Sequence, residues 1–240
     1  MGRSCGPKFS PLAAWPQVGA EATRAELRRA FARWGLPGRL RVDNGAPWGA
    51  TGGLPTALAL WALGLGVGMT WNDPRCPEQN GVVERSQGVG KAWGEPHTCA
   101  SVEELRQRLG QLDVVQRETY PSISGRSRLE AFPGLAHSGR PYTATAEAAR
   151  WDLAPVLAHL AEVVVARRVT ADGKVSLYER PRYVGRRAAG QEVWVTPDPE
   201  TQEWVATDAA GNLVRRLRAP ELDRERILAL DVARDRSAGG

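Results

Sequence analysis

The chain has 240 residues, long enough for one medium domain or two small ones with a real buried core. Its hydrophobic fraction of 42% and charged fraction of 25% are those of a folded globular protein, and they argue against wholesale disorder. No apolar run reaches membrane-spanning length and the N-terminal stretch lacks a signal-peptide core, so an intracellular, cytoplasmic protein without a membrane partner is expected.

The net charge of +5 and a pI near 9.5 come from 32 basic against 27 acidic residues. The basic ones are almost all arginine, whose planar fork suits phosphate oxygens. Cys5, Cys76 and Cys99 show no close doublet, so neither a disulfide framework nor a zinc site with His97 is indicated.

In chain order, residues 1–10 carry no periodic pattern. Thr23 to Trp34 reads as an amphipathic helix with Ala25, Leu27, Ala30, Phe31 and Trp34 inward, Arg24, Arg28, Arg29 and Arg33 outward, and Gly35 as its stop. Arg39-Leu40-Arg41-Val42 is a short strand candidate ending at Asp43-Asn44-Gly45, a turn signal that leaves the Asp43 carboxylate at the strand's end. An apolar helix candidate follows from Leu54 to Leu65, then a strand candidate from Val67 to Trp71.

Trp71 to Pro77 is a proline-punctuated loop in which Asp73 reads as a turn residue. Pro77 and Asn80-Gly81 then precede a helix-compatible run holding Glu84 in its first turns, and Lys91 lies seven residues further, close to two helical turns on. Ser101 with Glu104 forms a capping-box signature for a helix packing Leu105, Leu109, Leu112, Val115 and Tyr120 inward. Ala136 to Ala149 reads as linker, and Trp151 to Leu160 as a short helix.

From Val163 the pattern changes to short β-rich runs punctuated by Asp172-Gly173, Pro197-Asp198-Pro199 and Gly211-Asn212, the rhythm of a small barrel of about five strands. Between Val163 and Ala219, ten basic residues face seven acidic ones. Trp194 and Trp204 are assigned to the barrel core, Glu221 to Leu230 to a last helix, and the end of the chain to a loose tail.

Two of these stretches, Arg41-Val42-Asp43-Asn44-Gly45 and Asn80-Gly81-Val82-Val83-Glu84-Arg85, resemble the second and third acidic motifs of the DDE recombinases, the bacterial insertion-sequence transposases and retroviral integrases. The two carboxylates stand 41 residues apart, somewhat more than usual in that family, with the Ala46 to Gly53 loop to absorb the difference. The segment from Ser124 to Leu135 looks like the one closing the core in bacterial members, and the β-rich region resembles the SH3-like domain that follows it.

The resemblance implies an α/β ribonuclease-H-like core (residues 1–137) lacking its first strands, a linker with a short helix (138–160), a small all-β SH3-like barrel (161–220) and a tail (221–240). It implies a DNA transposition and integration protein in which Asp43 and Glu84 are catalytic residues and ligands of Mg2+ or Mn2+. The family's bridging Asp belongs about 45 residues upstream of Asp43. No Asp occurs from Met1 to Val42, so the expectation is an N-terminally truncated mobile-element recombinase, inactive alone and weak in metal binding.

DNA contacts are expected at Asn80, Arg85 and Lys91 beside the acidic pair. On the barrel they are expected at Arg167, Arg168, Arg186, Arg187, Arg215 and Arg216. Partners would be DNA and a second copy or a full-length transposase. The alternative is a non-catalytic DNA-binding or interaction protein that interferes with a full-length transposase.

Overall fold

The structure, a computed structural model, describes residues 19–49, 52–73 and 81–233. The elements in order are α1 (Ala20–Trp34), β1 (Arg39–Val42), α2 (Ala57–Gly64), β2 (Gly68–Trp71), α3 (Gly81–Gly94), α4 (Val102–Val114), α5 (Arg128–Ala131), α6 (Glu147–Arg150) and α7 (Ala154–Ala161). Strands β3 (Val165–Arg168), β4 (Lys174–Leu177), β5 (Arg180–Tyr183), β6 (Glu192–Asp198), β7 (Glu203–Thr207) and β8 (Leu213–Arg218) precede α8 (Arg224–Leu228).

This is a mixed α/β protein whose contacts divide it into two units interleaved along the chain. The first draws its described residues from 19–43, 71–73 and 81–144, and the second from 44–49, 52–70 and 145–233. The sequence reading had placed 44–70 with the first module.

In the first unit, α1 stops at Gly35, which adopts φ 78° and donates its N–H to Phe31 O at 2.8 Å. A side chain there would collide with Ser138 Oγ, 2.3 Å from the Cβ position, so this turn requires glycine. The expected helix face needs correction: Arg24 is buried, whereas Ala25 is exposed. Arg24 tolerates this because both oxygens of Glu21, one turn earlier, accept from its Nη2 at 2.8 and 2.7 Å.

The stretch read as linker also packs. Leu36 N–H donates to Arg140 O, Ser138 N–H to Trp34 O, and buried Tyr142 meets Phe31 edge-on at 5.7 Å. Aperiodic sequence hid these contacts because backbone groups make most of them.

The cap of α4 is as expected, with Ser101 Oγ accepting from Glu104 N–H at 3.1 Å, while Glu104 reaches back to Ala100 N–H at 2.8 Å. Beyond Val114 the helix widens into a π turn over Val115–Thr119. The buried side keeps α-helical spacing through Leu109, Asp113, Gln116 and Arg117, and Val115 lies off it. Val115 and Tyr120, expected inward, are 40% and 45% exposed, and Asp113, Gln116 and Arg117 are buried instead. Arg117 donates to Leu135 O and lies over the Trp34 ring at 4.8 Å.

In the second unit, α2 is apolar on every face and accordingly buried from Leu58 to Gly64. Thr56, just after Pro55, caps it, so the helix begins later than the apolar run. Helices α7 and α8 pack on α2. The Trp151 indole donates to Trp61 O at 3.1 Å, and the Trp61 indole donates to Glu147 Oε1 at 3.1 Å, which satisfies that buried carboxylate.

Strands β3 to β8 occupy the expected region, in six segments. Their antiparallel ladders form a four-stranded sheet ordered β3-β6-β7-β8 and a separate β4-β5 hairpin; among the described residues no closed barrel is formed. Alternation along β6 buries Val193, Val195 and Pro197. Register then places Val165, Val195 and Ala206 in one inward row and Pro197, Trp204 and Leu217 in another.

Trp204 is fully buried, as expected, but Trp194 belongs to the outer face, which corrects its assignment to the core. The last helix expected over Glu221 to Leu230 is found as a 3-10 turn at Pro220–Leu222 followed by α8, with Glu221, Leu222 and Ile227 buried, and just beyond it Val232 is buried too.

Candidate functional site

Two places carry the sequence-derived candidates, one in each unit. In the first, Val42 ends β1 buried, and its carbonyl accepts from Asn72 N–H at 2.9 Å. Arg41 Nε donates to Asn72 Oδ1 at 2.7 Å, and Asn72 itself is buried. Asp43 and Asp73 each follow one residue beyond this junction, and both are exposed. Asp73, read from sequence as a turn residue, is thus brought to the same strand end as Asp43. The signal was non-local: nothing in Asn72-Asp73-Pro74 says what its backbone pairs with.

Glu84 lies in the first turn of α3 and is exposed, as are Arg85 and Lys91. Ser86, Gly90 and Gly94 mark the buried side of this helix. With 3.6 residues per turn, Glu84 and Lys91 share one exposed face. Asn80 lies outside the described residues.

A pair of divalent ions would need a shared carboxylate in addition to Asp43 and Glu84. Among the described residues no group of three His, Cys, Asp or Glu side chains lies close enough to hold a metal ion. No chemical step is assigned to these residues.

In the second unit the structure sorts the arginines expected at DNA. Arg167 stands in the inward row of β3. Its guanidinium donates to Ser176 O and Ala166 O, both at 2.9 Å, and to Gly52 O, and burial lowers its pKa. It is a clamp between backbone segments. Arg216 is held by Asp198 at 2.7 Å, with Glu203 at 3.9 Å and Thr201 Oγ1 at 3.2 Å.

Arg215, in the next register row, lies over the exposed Tyr183 ring at 5.4 Å. Arg168, Arg186 and Arg187 are exposed, and their side chains have no ion pair or hydrogen bond among the described residues.

Sequence reasoning overlooked the acids that decide this sorting. Asp198 and Glu203 stand opposite each other across the β6-β7 turn, and Glu203 is also paired with Arg218 on β8. Cross-strand charge pairing is the signal that would have found them, once register was known.

Compared with known protein families, the chain matches no family model.

Proposed function

We propose that this is a DNA-binding protein of the transposition and integration class, similar to a DDE recombinase, acting on DNA without performing strand transfer by itself. In this reading the first unit corresponds to a ribonuclease-H-like core and the β-rich part of the second to an SH3-like domain. The observation that carries it is the pairing of the two sequence motifs with their settings. Asp43 stands exposed at the end of a short strand and Glu84 stands exposed in the first turn of a helix, as the resemblance requires.

Exposed arginines free of internal partners supply the affinity for DNA, through phosphate contacts that are largely independent of sequence. Chemistry in this reading needs a further carboxylate beside Asp43 and Glu84, because two ligands cannot hold two ions at the separation of about 4 Å that phosphodiester displacement needs.

The test combines two measurements on the full chain. Duplex DNA should bind with an affinity that falls steeply as salt rises, and incubation with Mg2+ or Mn2+ should give neither nicking nor joining. Salt-independent or absent binding would sink the DNA reading. Cleavage abolished by Asp43→Ala or Glu84→Ala would instead establish a working active site, with Asp73→Ala as the next variant.

The second reading, a protein that interferes with a full-length transposase, shares the DNA binding. It adds inhibition of that enzyme in a mixed strand-transfer assay.

A further inference from the structure

The segment following β3 and the 3-10 turn at Arg186–Ala188 are joined by backbone hydrogen bonds. Val169 N–H donates to Gln191 O at 2.8 Å and Gly190 N–H to Val169 O at 2.9 Å. Val184 and Gly185 both donate to Gly173 O, at 2.8 and 3.0 Å. The approach is so close that a Cβ on Gly173 would meet the Arg186 nitrogen at 2.7 Å.

Beside this junction opens a cleft of about 540 Å³ lined by Arg168, Val169, Thr170, Ala171, Ala189 and Gly190. Arg168 is its one charged wall residue, and no carboxylate or aromatic ring lines it. Arg186 and Arg187 sit on the turn that leads directly into the Ala189-Gly190 wall.

Of the neighbouring acids, Asp172 is already engaged by Lys174 at 2.6 Å and by Thr170 at 2.5 Å. Glu192 stands opposite Arg168 in the β3-β6 register without an ion pair among the described residues.

We propose that this cleft seats a phosphodiester strand of duplex DNA, with Arg168, Arg186 and Arg187 as its phosphate ligands, and that Arg167 and Arg216 take no part. The inference rests on the DNA-binding reading above and deepens it by choosing the face. Rigid backbone stitching presents the arginines from adjoining segments, and their forks are free to bind phosphate oxygens in two-point fashion. Small walls let a backbone approach closely. The lack of an aromatic platform argues against a stacked single strand, which would need one.

The experiment measures binding of the full chain to a labelled duplex of arbitrary sequence across a salt series. The wild type, R168A/R186A/R187A, R168K/R186K/R187K and R216Q are compared, with thermal melting to confirm folding. Each lost phosphate contact should reduce the log-log salt slope by about 0.9, so the triple alanine variant should lose roughly two to three in slope. Its affinity should fall at least about tenfold at low salt. The lysine variant and R216Q should keep a slope near that of the wild type.

If the wild type binds and the triple alanine variant binds equally well, the cleft assignment is overturned while the DNA reading stands. An equal loss in R216Q also overturns it. A wild type that binds no duplex ends both.

Discussion

The indole of Trp204 donates a 2.7 Å hydrogen bond to Oε1 of Glu221, a carboxylate with no solvent exposure, and the other oxygen of Glu221 accepts from Arg182. This ties the 3-10 turn Pro220–Leu222 that follows the last strand to the middle of the sheet and to the β4-β5 hairpin. Changing Glu221 to Ala leaves a half-buried arginine and a buried indole N–H without their acceptor. The expected loss is about 1–3 kcal/mol, the range for leaving a buried donor unsatisfied. Glu221→Gln keeps an acceptor for Trp204 and should cost less than the alanine variant. Urea unfolding midpoints measure both, and equal stability of E221A and wild type would refute the latch.

Tyr178 offers a change of opposite sign. Its hydroxyl is buried without a hydrogen-bond partner among the described residues, and burial together with the nearby Glu221 charge pushes its pKa up. Removing an unsatisfied buried hydroxyl relieves a desolvation cost. Tyr178→Phe should therefore be neutral or stabilising by up to about 1 kcal/mol. A clear destabilisation in denaturant would mean that the hydroxyl has a partner.

Gly64 ends α2 where the Trp151 ring leaves no room: an added Cβ would lie 2.0 Å from Cε2. Because Trp151 is buried and hydrogen-bonded to Trp61 O, the ring cannot swing away at low cost. Gly64→Ala should destabilise by about 1–3 kcal/mol or more through overpacking, despite alanine's better helix propensity. Thermal melting followed by circular dichroism gives the answer, and an unchanged midpoint would show that the ring relocates.

Acid sensitivity follows from Asp198. The Arg216 guanidinium, then the backbone N–H of Glu200, lower its pKa from 3.8 to about 2. A carboxylate depressed by folding contributes stability that is present above its unfolded pKa and is lost as pH falls through the folded one. The window is therefore about pH 4 down to 2. Asp198→Asn should flatten the fall of the urea midpoint across that window and leave the slope between pH 6 and pH 8 unchanged. A variant with the full wild-type acid slope would exclude this residue as a source.

Much of the local architecture was legible in the residues themselves. Gly35 ended α1, Ser101 began α4, and the alternation of Val193 and Val195 announced a strand. Each of those outcomes depends on backbone preferences and on neighbours within a turn or two. Asp43 at a strand end and Glu84 in a first helical turn belong to the same class of inference.

What the residues alone left open were questions of phase and partner. Val115 and Tyr120 stand off the buried side of α4, which Asp113, Gln116 and Arg117 occupy, so a pattern read from apolar residues alone missed that face. Trp194 and Trp204 have the same chemistry, and only strand register put one outside and the other in the core.

The arginines show the same division most plainly. Their number and their affinity for phosphate were set by the sequence, because charge and fork geometry travel with the residue. Which of them remain free was decided by tertiary structure. Cross-strand acids and backbone carbonyls distant in sequence claimed Arg216 and Arg167, and left Arg168, Arg186 and Arg187 exposed, with Arg168 in the wall of a cleft.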